Sequence, residues 1–311
     1  MMKYRTIVAA FFVFAIPSVS SAQCCSAGNP SSYAFSDQTS LKARSLLISS
    51  SFKYGYSGKY FSGDQVSAMN LKTPASFSFI DLRASFGISQ RFTVQTETGY
   101  YISKVQENPD PYPADRGKGL GDAAISVRYR FLKNLKHHLE LNGSAGVRLP
   151  VGVFDQEKDG VKLPLTIQPS SGSLVYLAGI SAAKTLSNDK WRLFAVLSAE
   201  FPQLIDSRNF YYQYGNLYNL SLAVVHPVHK LFTPALQLQG EMRSHATREE
   251  GQVVEASGYR VISLSPYIES AFAENWIVNL YADIPVYKYF NGIQLANSFK
   301  AGIKLTRRIS L

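Results

Sequence analysis

Cysteine is nearly missing from this chain: 311 residues carry two, Cys24 and Cys25, side by side. Neighbouring cysteines can close only a strained disulfide, so no cross-linked scaffold is on offer. A local bridge, a short tether and an intermolecular link all stay open for the pair. Charged residues make up only 17% of the chain, and methionine and tryptophan are scarce at 4 and 2. Beyond the N-terminus no segment approaches the roughly 18 consecutive apolar residues of a membrane-spanning helix. A phosphate-cradling loop is missing too. Gly119 and Gly121 in "KGLGDAA" have no third glycine and no helix behind them, so they serve a turn into a strand.

What is present begins with an export signal. "MMKYR" is a basic start, "TIVAAFFVFAI" an apolar centre, and "PSVSSA" supplies Ser20 and Ala22 at the small-residue cleavage positions. Cleavage is expected after Ala22, making residues 1–22 a signal peptide and taking the formal charge from +10 to +8 with the loss of Lys3 and Arg5. An exported chain with no spanning helix is either soluble outside the cytoplasm or a closed barrel.

The stretch "WIVNLYADIPVYKY", 276–289, favours the barrel. Trp276, Val278, Leu280, Ala282, Ile284 and Val286 make one unbroken apolar face, while Asn279, Tyr281, Asp283 and Tyr287 lie on the other. That is the period of a β-strand, carried about twice as far as strands usually run in soluble proteins. Similar strands are expected at 43–56, 76–87, 91–104, 120–132, 137–149, 173–184, 191–202, 214–226, 232–244, 259–272, 276–288 and 297–310. Their connections alternate between short (88–90, 133–136, 187–190, 226–230, 273–275) and long (57–75, 105–119, 150–172, 203–213, 245–258, 289–296). The expected fold is therefore all-β: a twelve-stranded antiparallel transmembrane barrel over 43–311, with short periplasmic turns and longer extracellular loops. Pro266 falls mid-strand and calls for a bulge.

Aromatic placement points the same way. Phe86, Phe92, Phe131, Trp191, Phe232, Phe272 and Trp276 share the apolar parity and lie near the short turns, as a girdle at a membrane interface would. The opposite parity projects Lys53, Asp81, Arg83, Glu97, Arg128, Arg130, Glu140, Arg148, Arg192, Glu241, Arg243, Asp283, Lys300 and Lys304 inward, with Gln95, Asn142, Glu200, Gln237 and Glu269 among them. These are either polar struts paired across strands or a selectivity lining. Phe194, Val196 and strand 173–184 add an apolar sector to the interior. A barrel of about twelve strands lies between those filled by side chains and those holding an open channel, so a narrow or plugged lumen is expected. Residues 23–42 are free to form a periplasmic segment or that plug.

Four stretches resemble a known family: "CCSAGNP", "SFKYGYSGKYFSGDQ", "GLGDAAISVRYRF" and "DIPVYKYFNGIQLANSFKAGIKL". The family is that of the transporter-like outer-membrane barrels attributed to the phenol meta-cleavage degradation pathway. Such barrels usually end in an aromatic residue, whereas this chain ends at Leu311. The resemblance implies passage of hydrophobic or aromatic small molecules.

Other chemistry finds less support. Asp155, Glu157 and Asp159 begin a calcium-loop spacing, but Thr166 stands where a bidentate acid belongs, leaving a solvated loop as the alternative to a calcium site. Of the histidines only His245, beside Ser244, reaches the outer rim where a hydrolytic triad would sit, and no signature surrounds it. No enzyme activity, cofactor, metal or nucleic-acid partner is expected. The expected function is an outer-membrane channel or transporter for small molecules. A basic-lumen porin for anionic polar solutes and a non-transporting surface binding protein are the alternatives. Its partners are outer-membrane lipid, a small-molecule solute and, during insertion, the barrel-assembly machinery.

Overall fold

The structure, a computed structural model, describes residues 40–68, 73–186, 190–207, 210–229 and 231–310. The signal peptide, both cysteines and most of segment 23–42 lie outside the described residues.

Eleven elements close a ring among the described residues. They are β1 (Ser45–Gly63), β2 (Ala75–Gly87), β3 (Phe92–Gln106), β4 (Ala123–Asn134), β5 (Leu139–Leu149), β6 (Val175–Thr185), β7 (Arg192–Pro202), β8 (Leu217–Val225), β9 (Thr233–Arg243), β10 (Tyr259–Ala273) and β11 (Trp276–Ser310). Each pairs antiparallel with its sequence neighbour, and β11 returns to pair with β1 from Ser45↔Ser310 to Gly63↔Phe290. Closure leaves no open edge, which is the condition for a sheet to sit in hydrocarbon. Two short strands pair outside the ring, Gln65–Val66 on β1 and Asp115–Leu120 on β3.

The wall is reversed relative to a water-soluble sheet. Along β2 the buried residues are Ala75, Phe77, Phe79, Asp81, Arg83 and Ser85, while Ile80, Leu82 and Phe86 are exposed. Along β4, Ile125, Val127, Tyr129 and Phe131 face out, with Ser126, Arg128 and Arg130 more covered. Charge within and hydrocarbon without is stable only where the outer solvent is itself hydrocarbon.

Several boundaries depart from the sequence reading. The ring holds eleven elements where twelve strands are expected, because the expected loop 289–296 is not a loop. Extended backbone runs through it, turning at Gly292 with φ +64. The early half of β11 pairs with β10 and the late half with β1. β1 likewise continues to Gly63 instead of ending near 56. The expected strand 120–132 is split: Asp115–Leu120 stops, Gly121 and Asp122 leave the ladder, and β4 starts at Ala123. The "loops" 203–213 and 245–258 pair with each other in a small sheet of Ile205–Ser207, Phe210–Gln213, Ala246–Arg248 and Gln252–Val254, built around Ile205, Tyr212, Ala246 and Val254.

The bulge expected at Pro266 lies elsewhere. Leu236↔Pro266 is in register with β9, and on the β11 side the register is the same before and after it. One shift falls between Ile262 and Ser263, opposite Pro285 and Tyr287, so Val286 is the extra residue, and a second lies between Ser270 and Ala273 at the turn. One extra residue reverses the parity beyond it. Tyr287, expected on the polar face, is thus turned outward with Tyr289.

Candidate functional site: the barrel interior

Two kinds of interior lie inside one wall. Across β1 to β3 ion pairs and aromatic rings pack on the inner wall, with Phe79, Glu97 and Tyr101 also bordering the cavity described next. Lys53 Nζ meets Asp81 Oδ2 at 2.7 Å with both side chains 5% exposed, and Ser51 Oγ donates to the same oxygen at 2.5 Å. Arg83 donates to Glu97 Oε2 from Nε at 3.1 Å and Nη2 at 2.7 Å. Phe77, Phe79 and Tyr101 pack beside them. A buried pair of this kind is costly to break, because the surviving charge is left without a partner.

Across β6 and β7 the inward residues are smaller or apolar, including Val175, Leu177, Gly179, Ser181, Val196 and Ser198, and space remains. A cavity of about 250 Å³ opens there, bordered also by Glu97, Lys104, Arg128, Arg148, Glu200 and Arg243. Arg148 forms a two-pronged pair with Glu200, Nη1 and Nη2 each at 2.8 Å. Arg243 Nη1 donates to the Gly215 carbonyl at 3.2 Å, and Glu241 accepts from the Tyr259 hydroxyl.

The chain after β5 covers this cavity. Ile167, Gln168, Ser170 and Ser173 are almost wholly buried. Asp122 fastens them: Ser170 Oγ donates to Oδ1 at 2.5 Å, Ser171 Oγ to Oδ2 at 2.6 Å, and the Ser171 N–H to Oδ2 at 3.2 Å. Lys104 Nζ donates to the Gln168 carbonyl at 2.9 Å. Gly117 permits the approach, since a Cβ there would stand 2.1 Å from the Ile167 carbonyl oxygen.

At the short-turn end a second cavity of about 590 Å³ is bordered by Lys133, Glu140, Lys184, Arg192, Glu269, Asn279 and Arg308. Arg130 lies 3.7 Å from Glu140, and Asn279 Nδ2 donates to Glu269 at 2.9 Å. The first described residues reach inside: Ser40 N–H donates to Glu140 Oε1 at 2.7 Å and Ser40 Oγ to Asn142 Oδ1 at 2.6 Å. The Leu41 N–H donates to Thr93 Oγ1 at 3.3 Å.

The remaining sequence-selected residues are placed as follows. Lys300 lies 3.7 Å from Asp283, and Lys304 is buried opposite Ser51. Arg192 is exposed at the border of the lower cavity. Phe86, Phe92, Phe131, Trp191, Phe232 and Phe272 are exposed on the outside, whereas Trp276 is half-buried with the Arg307 guanidinium 5.1 Å from its ring. The residues of the calcium spacing form a tight hairpin: Glu157–Lys158 pairs with Val161–Lys162, and Asp159 and Gly160 both take positive φ, the two-residue turn that Asp-Gly favours. Lys158 Nζ pairs with Asp115 at 3.1 Å. Among the described residues no three metal-ligating side chains gather.

Sequence reasoning missed Lys104 and Asp122. Lys104 sits on the outward parity of its strand, but the ladder skips Ile102 between Ser78↔Ser103 and Phe79↔Tyr101, which turns Lys104 inward. A lysine on a face otherwise without charge was the available signal. Asp122 stands at the break in the ladder, and its partners lie about fifty residues away.

No known family model matches the sequence, and no curated protein does. Solved structures do resemble it. An outer-membrane channel from Pseudomonas putida F1 superposes with a TM-score of 0.73 at 11% identity, over 89% of this chain and 100% of that one. The translocator domain of the autotransporter NalP from Neisseria meningitidis gives 0.49 at 8% identity, over 88% and 91%. The NanC porin gives 0.48 at 11%, over 85% and 100%. At 11% identity the first likeness is one of architecture, and it agrees with the closed ring and the reversed wall: this chain has the fold of an outer-membrane β-barrel.

Proposed function

We propose that the protein is an outer-membrane channel that passes small solutes, hydrophobic or aromatic ones among them, through a constricted lumen. The observation that carries this reading is the pair of cavities inside a wall that is apolar outside and closed on itself. The segment fastened to Asp122 narrows one end. Ser40 and Leu41, bonded to inner-face side chains, narrow the other. The exposed aromatics form the periplasmic interface girdle, and the charged residues of the inner parity line the lumen. Residues 1–22 direct export, and the assembly machinery of the outer membrane inserts the barrel. No enzymatic step is assigned to it.

We also read β11 as two crossings, giving twelve in all. Lys300 beside Asp283, Arg307 over Trp276, and the Arg308 N–H on the Asn275 carbonyl at 2.9 Å all fit one antiparallel register between its halves. Even parity places both termini on the periplasmic side.

Single-channel recording of purified protein in a planar bilayer tests the function. Discrete current steps and uptake of small solutes into vesicles are expected; their steady absence overturns the reading and favours a surface binding protein. The basic-lumen porin for anionic polar solutes is the second reading. It is favoured by the lower cavity, where among the described residues Lys133, Lys184, Arg192 and Arg308 share the lining with the carboxylates Glu140 and Glu269. Reversal potentials under a salt gradient separate the two, and cation selectivity would sink the porin for anions.

A further inference from the structure

The outer surface at the short-turn end carries a charge that neither reading uses. Exposed cations stand around the ring near the lower girdle: Arg44 before β1, Arg91 before β3, Lys136 between β4 and β5, Lys190 before β7, and Arg307 near the end of β11. Among the described residues of the short turns, Glu274 is the one exposed carboxylate. None of these five cations forms an ion pair with a described residue.

Two of the cations sit beside the chain's two tryptophans. Arg307 continues the outward parity of Ile303 and Leu305, and its guanidinium lies 5.1 Å from the centre of the Trp276 ring. A contact with a ring face uses no hydrogen-bond acceptor, so the guanidinium N–H donors stay available. Lys190 precedes Trp191, which is exposed and stacked on His226 with ring centroids 4.1 Å apart. His226 Nδ1 donates to the Lys190 carbonyl at 2.6 Å, which holds this turn against the ring.

Each place is amphipathic along one direction. A cation stands toward the turns, an indole beside it, and hydrocarbon such as Leu280, Ile303 and Leu305 faces out further along the wall. An acidic soluble protein would cover one patch, whereas these cations are spread around the ring. A diacyl phospholipid repeats around a barrel, setting its phosphate at the cations and its chains on the wall. A zwitterionic headgroup brings an ammonium of its own to the guanidinium and gains less. A net anionic headgroup gains about fivefold in binding per nearby lysine or arginine.

We propose that Arg307 with Trp276, and Lys190 with Trp191, are binding sites for an anionic phospholipid of the periplasmic leaflet, of the phosphatidylglycerol kind. The choice of leaflet rests on the reading of β11 as two crossings; the choice of lipid rests on the charge.

Tryptophan quenching by brominated lipids tests this, because both reporters lie in the sites. The protein is folded into vesicles of phosphatidylethanolamine and phosphatidylglycerol in fixed proportion, with one or the other brominated. Trp191→Phe leaves Trp276 as the reporter, and Trp276→Phe leaves Trp191. Each is expected to show phosphatidylglycerol bound about fivefold over phosphatidylethanolamine at low salt. The preference should fall toward parity at about 1 M salt, where the Debye length is about 3 Å. In the Trp191→Phe chain, Arg307→Gln is expected to abolish the preference and Lys190→Gln to leave it unchanged. In the Trp276→Phe chain the two substitutions exchange effects. Heat-modifiable gel mobility checks folding, and if Arg307→Gln does not fold, Lys190→Gln in the Trp276→Phe chain decides. Equal quenching by the two brominated lipids, or a preference indifferent to salt and to both substitutions, overturns the sites. Lipid A displacing brominated phosphatidylglycerol better than unlabelled phosphatidylglycerol does would assign them to the other leaflet and overturn the proposal. Absence of quenching by either lipid overturns it differently, by removing the lipid-facing wall itself.

Discussion

The two sides of the barrel interior solve the same problem in opposite ways. Between β1 and β3 ion pairs and aromatic rings cover the inner wall as far as the cavity's edge: Lys53–Asp81, Arg83–Glu97, and Phe77, Phe79 and Tyr101. Between β6 and β7 small and apolar side chains leave a cavity, and the chain between Val151 and Ser173 descends over it. The filled side is a strut whose charges satisfy one another. The open side keeps space beside charges that are already engaged, Arg148 with Glu200 among them. A barrel of intermediate circumference can therefore hold packed ion pairs and an open space within one wall.

The strongest way to break this comparison is to remove a strut. Asp81→Ala leaves Lys53 buried without its carboxylate and should cost about 3–5 kcal/mol, measured by urea titration in lipid vesicles. The matching change on the open side, Ser181→Ala, removes one hydroxyl contact with Asn142 and should cost about 1 kcal/mol. Equal losses would mean that the two sides do not differ as described.

Next in size is a test of the wall that both sides share. Leu280 is 51% exposed on the outer face, and Leu280→Arg should cost roughly 2–4 kcal/mol if it faces mid-membrane. A fully tolerated arginine would contradict the lipid-facing register of β11.

The covering segment gives a smaller stability effect and a sharper functional one. Asp122→Ala should lower stability by about 1–3 kcal/mol, through the Ser170 hydroxyl and the Ser171 N–H left without an acceptor. It should also raise single-channel conductance, because the segment is then free to leave the cavity. Unchanged current would show that the segment does not limit passage. Smallest is Lys158→Ala. It breaks a partly exposed pair with Asp115 in the outer hairpin and should shift stability by about 0–1 kcal/mol without altering conductance.

The barrel was legible because its evidence is local and repeated. A period of two, carried through "WIVNLYADIP" and its counterparts, fixes strand, face and antiparallel order. It also placed Asp81, Arg83, Glu97 and Arg148 on the inner parity without any knowledge of their partners. The reading failed where an extra residue enters the ladder at Val286 and at Ile102. Val286 and Ile102 are ordinary residues within apolar runs, and nothing in their side chains announces a bulge. Each reverses the parity that follows, bringing Lys104 inward and Tyr287 outward.

By itself, then, the sequence determined the alternating faces, the antiparallel wall and the sign of the interior, because each follows from spacing along a single strand. Tertiary structure alone decided which charges neutralise each other and where space is left. Arg148 finds Glu200 across an intervening strand, and Asp122 finds Ser170 and Ser171 in a segment that folds back over the lumen. Such pairings depend on ring closure and on the placement of bulges, and both are settled by the fit of all the strands together rather than by the preferences of any one.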